Sequence, residues 1–310
     1  MTLILADVGG TNVRFASASA GAEGLADIRR YRNDDYRSFD DALAAYRREA
    51  QIDRVEAMCF AVAGPVNGKV ARLTNRNWTL DEDRLPEAND GARVHLLNDL
   101  SALGYALDRL RADDVQPVLD APIPDFRQNQ RLVVGVGTGF NVSPVLQYDG
   151  MVRCLRVEAG LSSMPSRVVS PMVELLGHKP GHMTCVEDAL SGPGLTQLHA
   201  DATGRKLEGR DILAAAARGD EDALETLETF AKMLGEMVLD LRLHYMPSGG
   251  IYLAGSVARG LLDSPVRDVF VSRLKVRPTK KSDIPPVPIS MITQDEAALL
   301  GCLAYAEGNG

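Results

Sequence analysis

A strand, a glycine-rich turn and a returning strand open the chain and recur near its middle. Residues 2–8 are apolar, Gly9-Gly10-Thr11 make a tight turn, and 12–18 alternate as a strand does, which predicts a hairpin. Residues 131–136, Gly137-Thr138-Gly139 and 140–148 repeat the arrangement. In the first cycle, 55–62, 70–73 and 94–97 read as further strands, with helices at 38–49 and 101–111. In the second, strands are predicted at 151–157, 251–253 and 287–292, helices at 168–177, 183–190, 209–218 and 220–246, and a last helix at 294–306. Strands that alternate with helices predict α/β layers, and the repeated hairpin predicts two related halves. A chain of 310 residues can fill two cores. The expected organisation is a small lobe at 1–110 completed by 294–310, a large lobe at 111–293, and a cleft between them. Residues 111–130, rich in Asp, Pro and Gln, read as a surface connection at the boundary.

Charge removes several classes of partner. A formal net charge of -8 and a pI near 5.2 disfavour a nucleic-acid partner or an anionic membrane surface. An anionic ligand remains compatible, because exposed backbone N–H groups and a bound cation hold phosphate against an adverse net charge. No apolar run reaches the eighteen or so residues of a membrane span, and the start of the chain has no leader pattern, so the expected address is cytoplasmic. Cys59, Cys154, Cys185 and Cys302 are scattered, which predicts reduced, buried thiols rather than a zinc site or disulfides.

Three places carry chemistry. Asp7-Val-Gly9-Gly10-Thr11-Asn12-Val-Arg14 sets a carboxylate at a strand end, a turn open to phosphate, and hydroxyl, amide and guanidinium donors beyond it. It reads as a phosphate and metal site, or as a plain hairpin turn, and it fits neither of the common glycine-rich nucleotide motifs. Gly137-Thr138-Gly139 offers a second open turn, and two such turns form a clamp on a transferring phosphoryl group. Asn98-Asp99 stands where a buried strand meets a helix, where open α/β sheets hold ligands; the residues read equally as a helix cap or as a general base with an orienting amide. Glu158 and Glu187 are candidates for sugar hydroxyls, although a lone Glu is more often a solvated surface group.

Taken in order, these segments resemble the bacterial glucokinase family, within the hexokinase, actin and heat-shock ATPase superfamily. The matching stretches are Asp7–Arg14, Ala61-Val-Ala-Gly-Pro-Val66, Leu73-Thr-Asn75 with Trp78, Leu97-Asn-Asp99, Gly135–Gly139, Glu158-Ala-Gly160, Glu187 with Leu190–Gly194, and Leu253-Ala-Gly255. The resemblance implies a two-lobed actin-like (ribonuclease H-like) duplicated α/β fold and transfer of a phosphoryl group from ATP to the C6 hydroxyl of a hexose. It implies Asp99 as base; Asn75, Asn98, Glu158 and Glu187 as hexose ligands; and Asp7 as the magnesium (Mg2+) carboxylate. Gly9, Gly10, Thr11, Asn12, Arg14, Gly137, Thr138 and Gly139 would hold phosphates, and Gly255 would approach the adenosine. Whether the chain forms a homodimer stays open. A zinc-bearing repressor and sugar-kinase family of the same superfamily is disfavoured by the missing cysteine cluster.

Two positions depart from the pattern. Where a family histidine would contact the sugar, this chain has Leu161. Glucose then binds poorly, or Ser162 or Ser163 compensates, or the site prefers a sugar with an apolar or absent substituent there; a kinase of an amino or acylated hexose is an enzyme variant of the same reading. A non-catalytic sugar or nucleotide sensor is the alternative from another class. Phe140-Asn141, after the second turn, replaces a smaller pair, with no consequence readable from sequence.

Overall fold

The buried centres of two sheets account for the longest apolar runs. The computed structural model describes residues 2–19, 21, 24–73, 76–123, 129–277 and 284–308. It divides into two units, one of Met1–Arg111 with Gln294–Gly310 and one of Ala112–Thr293.

The first unit contains β1 (Thr2–Val8), β2 (Asn12–Ser19), β3 (Ala26–Arg32) and β4 (Ala57–Val62), then a small sheet of β5 (Val66–Asn67), β6 (Val70–Arg72) and β7 (Thr79–Asp81), then β8 (Arg93–Asn98). Its main sheet runs β3-β2-β1-β4-β8, antiparallel along the opening hairpin and parallel from β1 through β4 to β8. Every residue of β4 is buried, as expected of a parallel strand covered on both faces. Along β1 the side chains alternate. Ile4, Ala6 and Val8 face a cluster with Phe15, Phe39, Tyr46 and Phe60. Leu3 and Leu5 face one with Leu299, Cys302 and Leu303.

The second unit contains β9 (Val115–Leu119), β10 (Asn129–Val136), β11 (Phe140–Tyr148), β12 (Met151–Cys154), β13 (Ile251–Ala254) and β14 (Ile289–Ile292). The order is β12-β11-β10-β13-β14-β9. Leaving out β9, strand order and sense repeat those of the first sheet. The duplicated α/β architecture read from two glycine turns is therefore the observed one.

Several elements differ from expectation. β3 falls in a stretch without apolar alternation because it is an edge strand with one buried residue, Tyr31. Within 111–130, read as a surface connection, β9 pairs antiparallel with β14 and tolerates Pro117 because it lies at the sheet edge. Helices at Gly192–Thr203, Ser256–Leu262 and Arg267–Leu274 were not legible; the first opens on Gly-Pro-Gly with Ser191 as its cap, its side chain accepting from the Gly194 N–H. The helix expected at 101–111 runs over Asp99–Ala106, and the strand expected at 151–157 ends at Cys154. All four thiols are free, but only Cys59 and Cys302 are buried, not all four.

The C-terminal helix Ala297–Gly308 crosses the helix Asp99–Ala106 so closely that a Cβ on Gly301 would stand 1.7 Å from the Ala102 carbonyl oxygen. Backbone occupies that space and no side chain can swing away. Gly301→Val is expected to cost about 1–3 kcal/mol by over-packing and to lower the thermal midpoint by several degrees. A midpoint within about 1 °C of the parent would show that the two helices separate freely.

Candidate active site

In the first unit the parallel strands β1, β4 and β8 end on one edge, the edge at which α/β sheets collect ligand-handling groups. Asp7 pairs laterally with Ala61, and Ala61 with Leu97, two residues before Asp99. The two aspartates are thus two strands apart, roughly 10 Å between backbones. Asp7 shares the face of Leu3 and Leu5, the face on which the helix begun by Asp99 is packed. Asn98 caps that helix: its Oδ1 accepts from the Leu100 N–H at 3.1 Å, and its Nδ2 donates to the Gly64 carbonyl at 3.4 Å. Asp99 Oδ1 accepts from the same Leu100 N–H at 2.9 Å. Of the two readings of this pair, the cap belongs to Asn98. Asp99 is the first residue of the helix.

Electrostatics separates these carboxylates from ordinary ones. Desolvation raises the Asp99 pKa from 3.8 to about 6, with the Asp7 charge adding to the rise and the Leu100 N–H bond opposing it. Asp7 is also raised, by desolvation first, with Arg14 pulling the other way. Arg14, opposite Asp7 in the hairpin, donates to the Asp295 carbonyl and stands 3.9 Å from Glu296 Oε1. Its observed partners are therefore protein groups.

Between β1 and β2 the Gly9 N–H donates to the Asn12 carbonyl at 3.0 Å, closing the turn. Asn33, fully buried, donates from Nδ2 to the carbonyls of Gly9 at 2.8 Å and Gly10 at 3.0 Å, and its own N–H donates to the Thr11 carbonyl. With the carbonyls held inward, Thr11 is left exposed at the tip. Sequence reasoning missed Asn33. It lies in a polar connection, and nothing in the periodicity marks it.

The second unit builds its turn differently. The Gly137 N–H donates to the Gly139 carbonyl at 2.9 Å, the Gly137 carbonyl accepts from Gly192 N–H at 2.7 Å, and Thr138 is exposed at the tip. Gly255, at φ 99°, lies where a Cβ would stand 2.4 Å from the Val136 carbonyl oxygen, so only glycine lets β13 pass this close. Glu187 Oε2 accepts from the Phe140 N–H at 2.8 Å, and a Cβ on Gly139 would come within 2.4 Å of that oxygen. Glu187 is thus half-buried and bonded to the residue after the turn. Glu158 is exposed and accepts from Asn141 Nδ2 at 3.0 Å. Leu161, three residues on, is 66% exposed. The structure brings Asp7, Asp99 and Arg14 together in one unit, and Gly137–Gly139, Glu158, Glu187 and Gly255 in the other. Asn75 lies outside the described residues.

A family model for glucokinase matches residues 4–309. The chain belongs to the glucokinase family. Its glucokinase relatives include that of Xanthomonas campestris pv. campestris (strain B100), 31% identical over 318 residues, covering 98% of this chain and 94% of the relative. That of Caulobacter vibrioides (strain NA1000 / CB15N) is 29% identical over 313 residues, covering 96% and 93%. Among solved structures, a glucokinase from an Antarctic psychrotroph superposes with a TM-score of 0.83 at 24% identity, covering 100% of this chain and 99% of the other. A ROK family glucokinase from Streptomyces griseus, solved in complex with glucose and AMPPNP, gives 0.65 at 20% identity with both chains fully covered. The fold of this glucokinase-family chain is accordingly that of the actin-like sugar kinases.

The Asp99 shift has a sign that can be tested. A carboxyl raised in the folded state binds its proton more tightly there than in the unfolded chain, so the parent loses stability as pH climbs from about 4 to about 6. Asp99→Asn lacks that loss. The variant is expected to melt above the parent at pH 7–8, by an advantage of about 1–3 kcal/mol, with the gap closing as pH falls below 4. A gap independent of pH would contradict desolvation of Asp99.

Proposed function

We propose that this chain is an ATP-dependent hexose kinase that moves the γ-phosphoryl group of ATP to the C6 hydroxyl of a hexose, glucose being the first candidate. The observation that carries the reading is the desolvated pair Asp7 and Asp99 on the C-terminal edge of a parallel sheet, beside an open glycine turn. Asp99, with a pKa of about 6, is ionised near neutral pH and basic enough to take the hydroxyl proton as that oxygen attacks phosphorus. As the new P–O bond forms, the bond from phosphorus to the β–γ bridging oxygen breaks and ADP leaves. The Gly9–Asn12 and Gly137–Gly139 turns supply N–H and hydroxyl groups to the phosphates. Glu158 and Glu187 accept hydroxyls of the ring, Asn98 orients it, and Gly255 gives the adenosine a close approach.

Magnesium fits the donor set. Among the described residues no three His, Cys, Asp or Glu side chains form a metal cage, and Asp7 lies at the strand end before the turn, with Asp99 two strands away. A cation that keeps most of its waters and binds chiefly through nucleotide phosphates needs no more than one such carboxylate, and Asp7 would hold it through water. When bound it would supply charge neutralisation at the phosphates. A relative crystallised with glucose and AMPPNP supports the same pair of ligands here. Among the described residues no helix is long and apolar enough to cross a membrane, and an ATP-consuming reaction suits a cytoplasmic address.

Exposure of Leu161 on the turn after Glu158 favours a second reading of the sugar alone. An apolar side chain leaves a ring hydroxyl without a partner, which costs roughly 1–3 kcal/mol, and gains from a hexose with an apolar or acyl substituent at that place. ADP release measured over a panel of hexoses and acylated amino hexoses decides between them. With the best sugar, kcat/KM is expected to rise with pH up to about 6 and to level off above it. Asp99→Asn should lower kcat by about a hundred- to ten-thousand-fold without unfolding the chain. No turnover with any sugar in a folded parent would leave a binding protein instead.

A further inference from the structure

Asn141 is the second residue after the glycine turn of the second unit, facing Gly135 across the hairpin. Its side chain makes three hydrogen bonds. Nδ2 donates to Glu158 Oε2 at 3.0 Å, while Oδ1 accepts from the Ala159 N–H at 3.0 Å and from its own neighbour, the Val142 N–H, at 2.8 Å. The turn Ala159–Leu161 is pressed against the same strand one residue earlier, since a Cβ on Gly160 would stand 2.0 Å from the Phe140 carbonyl oxygen. From Phe140 the N–H donates to Glu187 at 2.8 Å. Two adjacent residues of β11 thus hold two carboxylates that are distant in sequence.

We infer that Asn141 is a positioning residue for the hexose site, fixing the carboxylate of Glu158 and the turn that presents Leu161. The inference rests on the reading of Glu158 as a hexose ligand. A carboxylate on an exposed side chain samples several rotamers and must lose that freedom to meet a sugar. The bond from Asn141 removes the freedom beforehand, and preorganisation of this kind lowers the cost of binding. The amide is matched to the place, because it presents a donor to the carboxylate and an acceptor to the N–H groups from one planar group; a carboxylate has no donor and alanine has neither. The consequence is one link between turn and sugar site: β11 leaves the Gly137–Gly139 turn and within two residues has set both Glu187 and Glu158.

The test compares Asn141→Ala, Asn141→Asp and Glu158→Gln with the parent at pH 8, using the best hexose of the panel and reading KM for hexose, KM for ATP, kcat and the melting temperature. Asn141→Asp keeps the acceptor oxygen for Ala159 and Val142 and removes the donor to Glu158. Both Asn141 variants are expected to raise the hexose KM roughly tenfold, the effect of losing one hydrogen bond to a charged group, while the ATP KM stays within about twofold. Should Asn141→Ala fail to fold, Asn141→Asp carries the test alone. A parental hexose KM in Asn141→Asp, or equal rises in both KM values, would overturn the positioning role. Glu158→Gln separates the two levels. If it raises the hexose KM while the Asn141 variants do not, the inference fails and the sugar site stands; if it leaves the hexose KM unchanged, the assignment of Glu158 itself is wrong.

Discussion

A pair of half-buried carboxylates is the constraint around which the first unit is arranged. Asp7 follows the buried run of β1, and Asp99 opens a helix pressed against the C-terminal helix at Gly301, so both acids sit at the margin of a packed layer. Desolvation disfavours charge on each, and the Asp7 charge makes Asp99 harder to ionise. Arg14 relieves Asp7 in part while being tied to Asp295 and Glu296. The first residues of the chain and the segment leading into the last helix therefore determine one electrostatic environment.

The two hairpins share topology and differ in how their turns are held. In the first unit a buried amide, Asn33, grips turn carbonyls from outside the hairpin. In the second a carboxylate, Glu187, accepts an N–H at the turn's far side, and Gly192 donates to its near side. Both solutions leave a threonine at the tip exposed, Thr11 in one and Thr138 in the other. The two sheets share strand order while different residues rigidify each turn.

Legibility followed burial. β4 was readable as an unbroken apolar run, because a parallel strand covered on both faces admits little else, and the glycine turns were readable because glycine clusters punctuate apolar runs. β3 was not, with a single buried residue, nor was β9, whose Pro117 argues against a strand unless its edge position is known. Of the chemistry-bearing side chains, Asp7 and Asp99 could be singled out by their place at strand ends. The split between Asn98 as cap and Asp99 as the raised acid needed coordinates, since Asn and Asp are both good caps. Asn33 and Asn141 show the limit most clearly. Their partners lie 24 and 17 residues away along the chain, and an asparagine in a polar stretch gives no local sign of a distant bond. Phe140, next to Asn141, proves to be a core side chain, which explains half of a pair whose meaning sequence left blank.

Direct titration of the aspartate carboxyls bears on the central claim more closely than any rate. In the ligand-free chain carrying carboxyl-13C aspartate, one resonance is expected to titrate near pH 6, to vanish in Asp99→Asn, and to move to lower pH in Asp7→Asn as the neighbouring charge is removed. Aspartates that all titrate in the ordinary range, or a set of late-titrating resonances that loses none in Asp99→Asn, would contradict it.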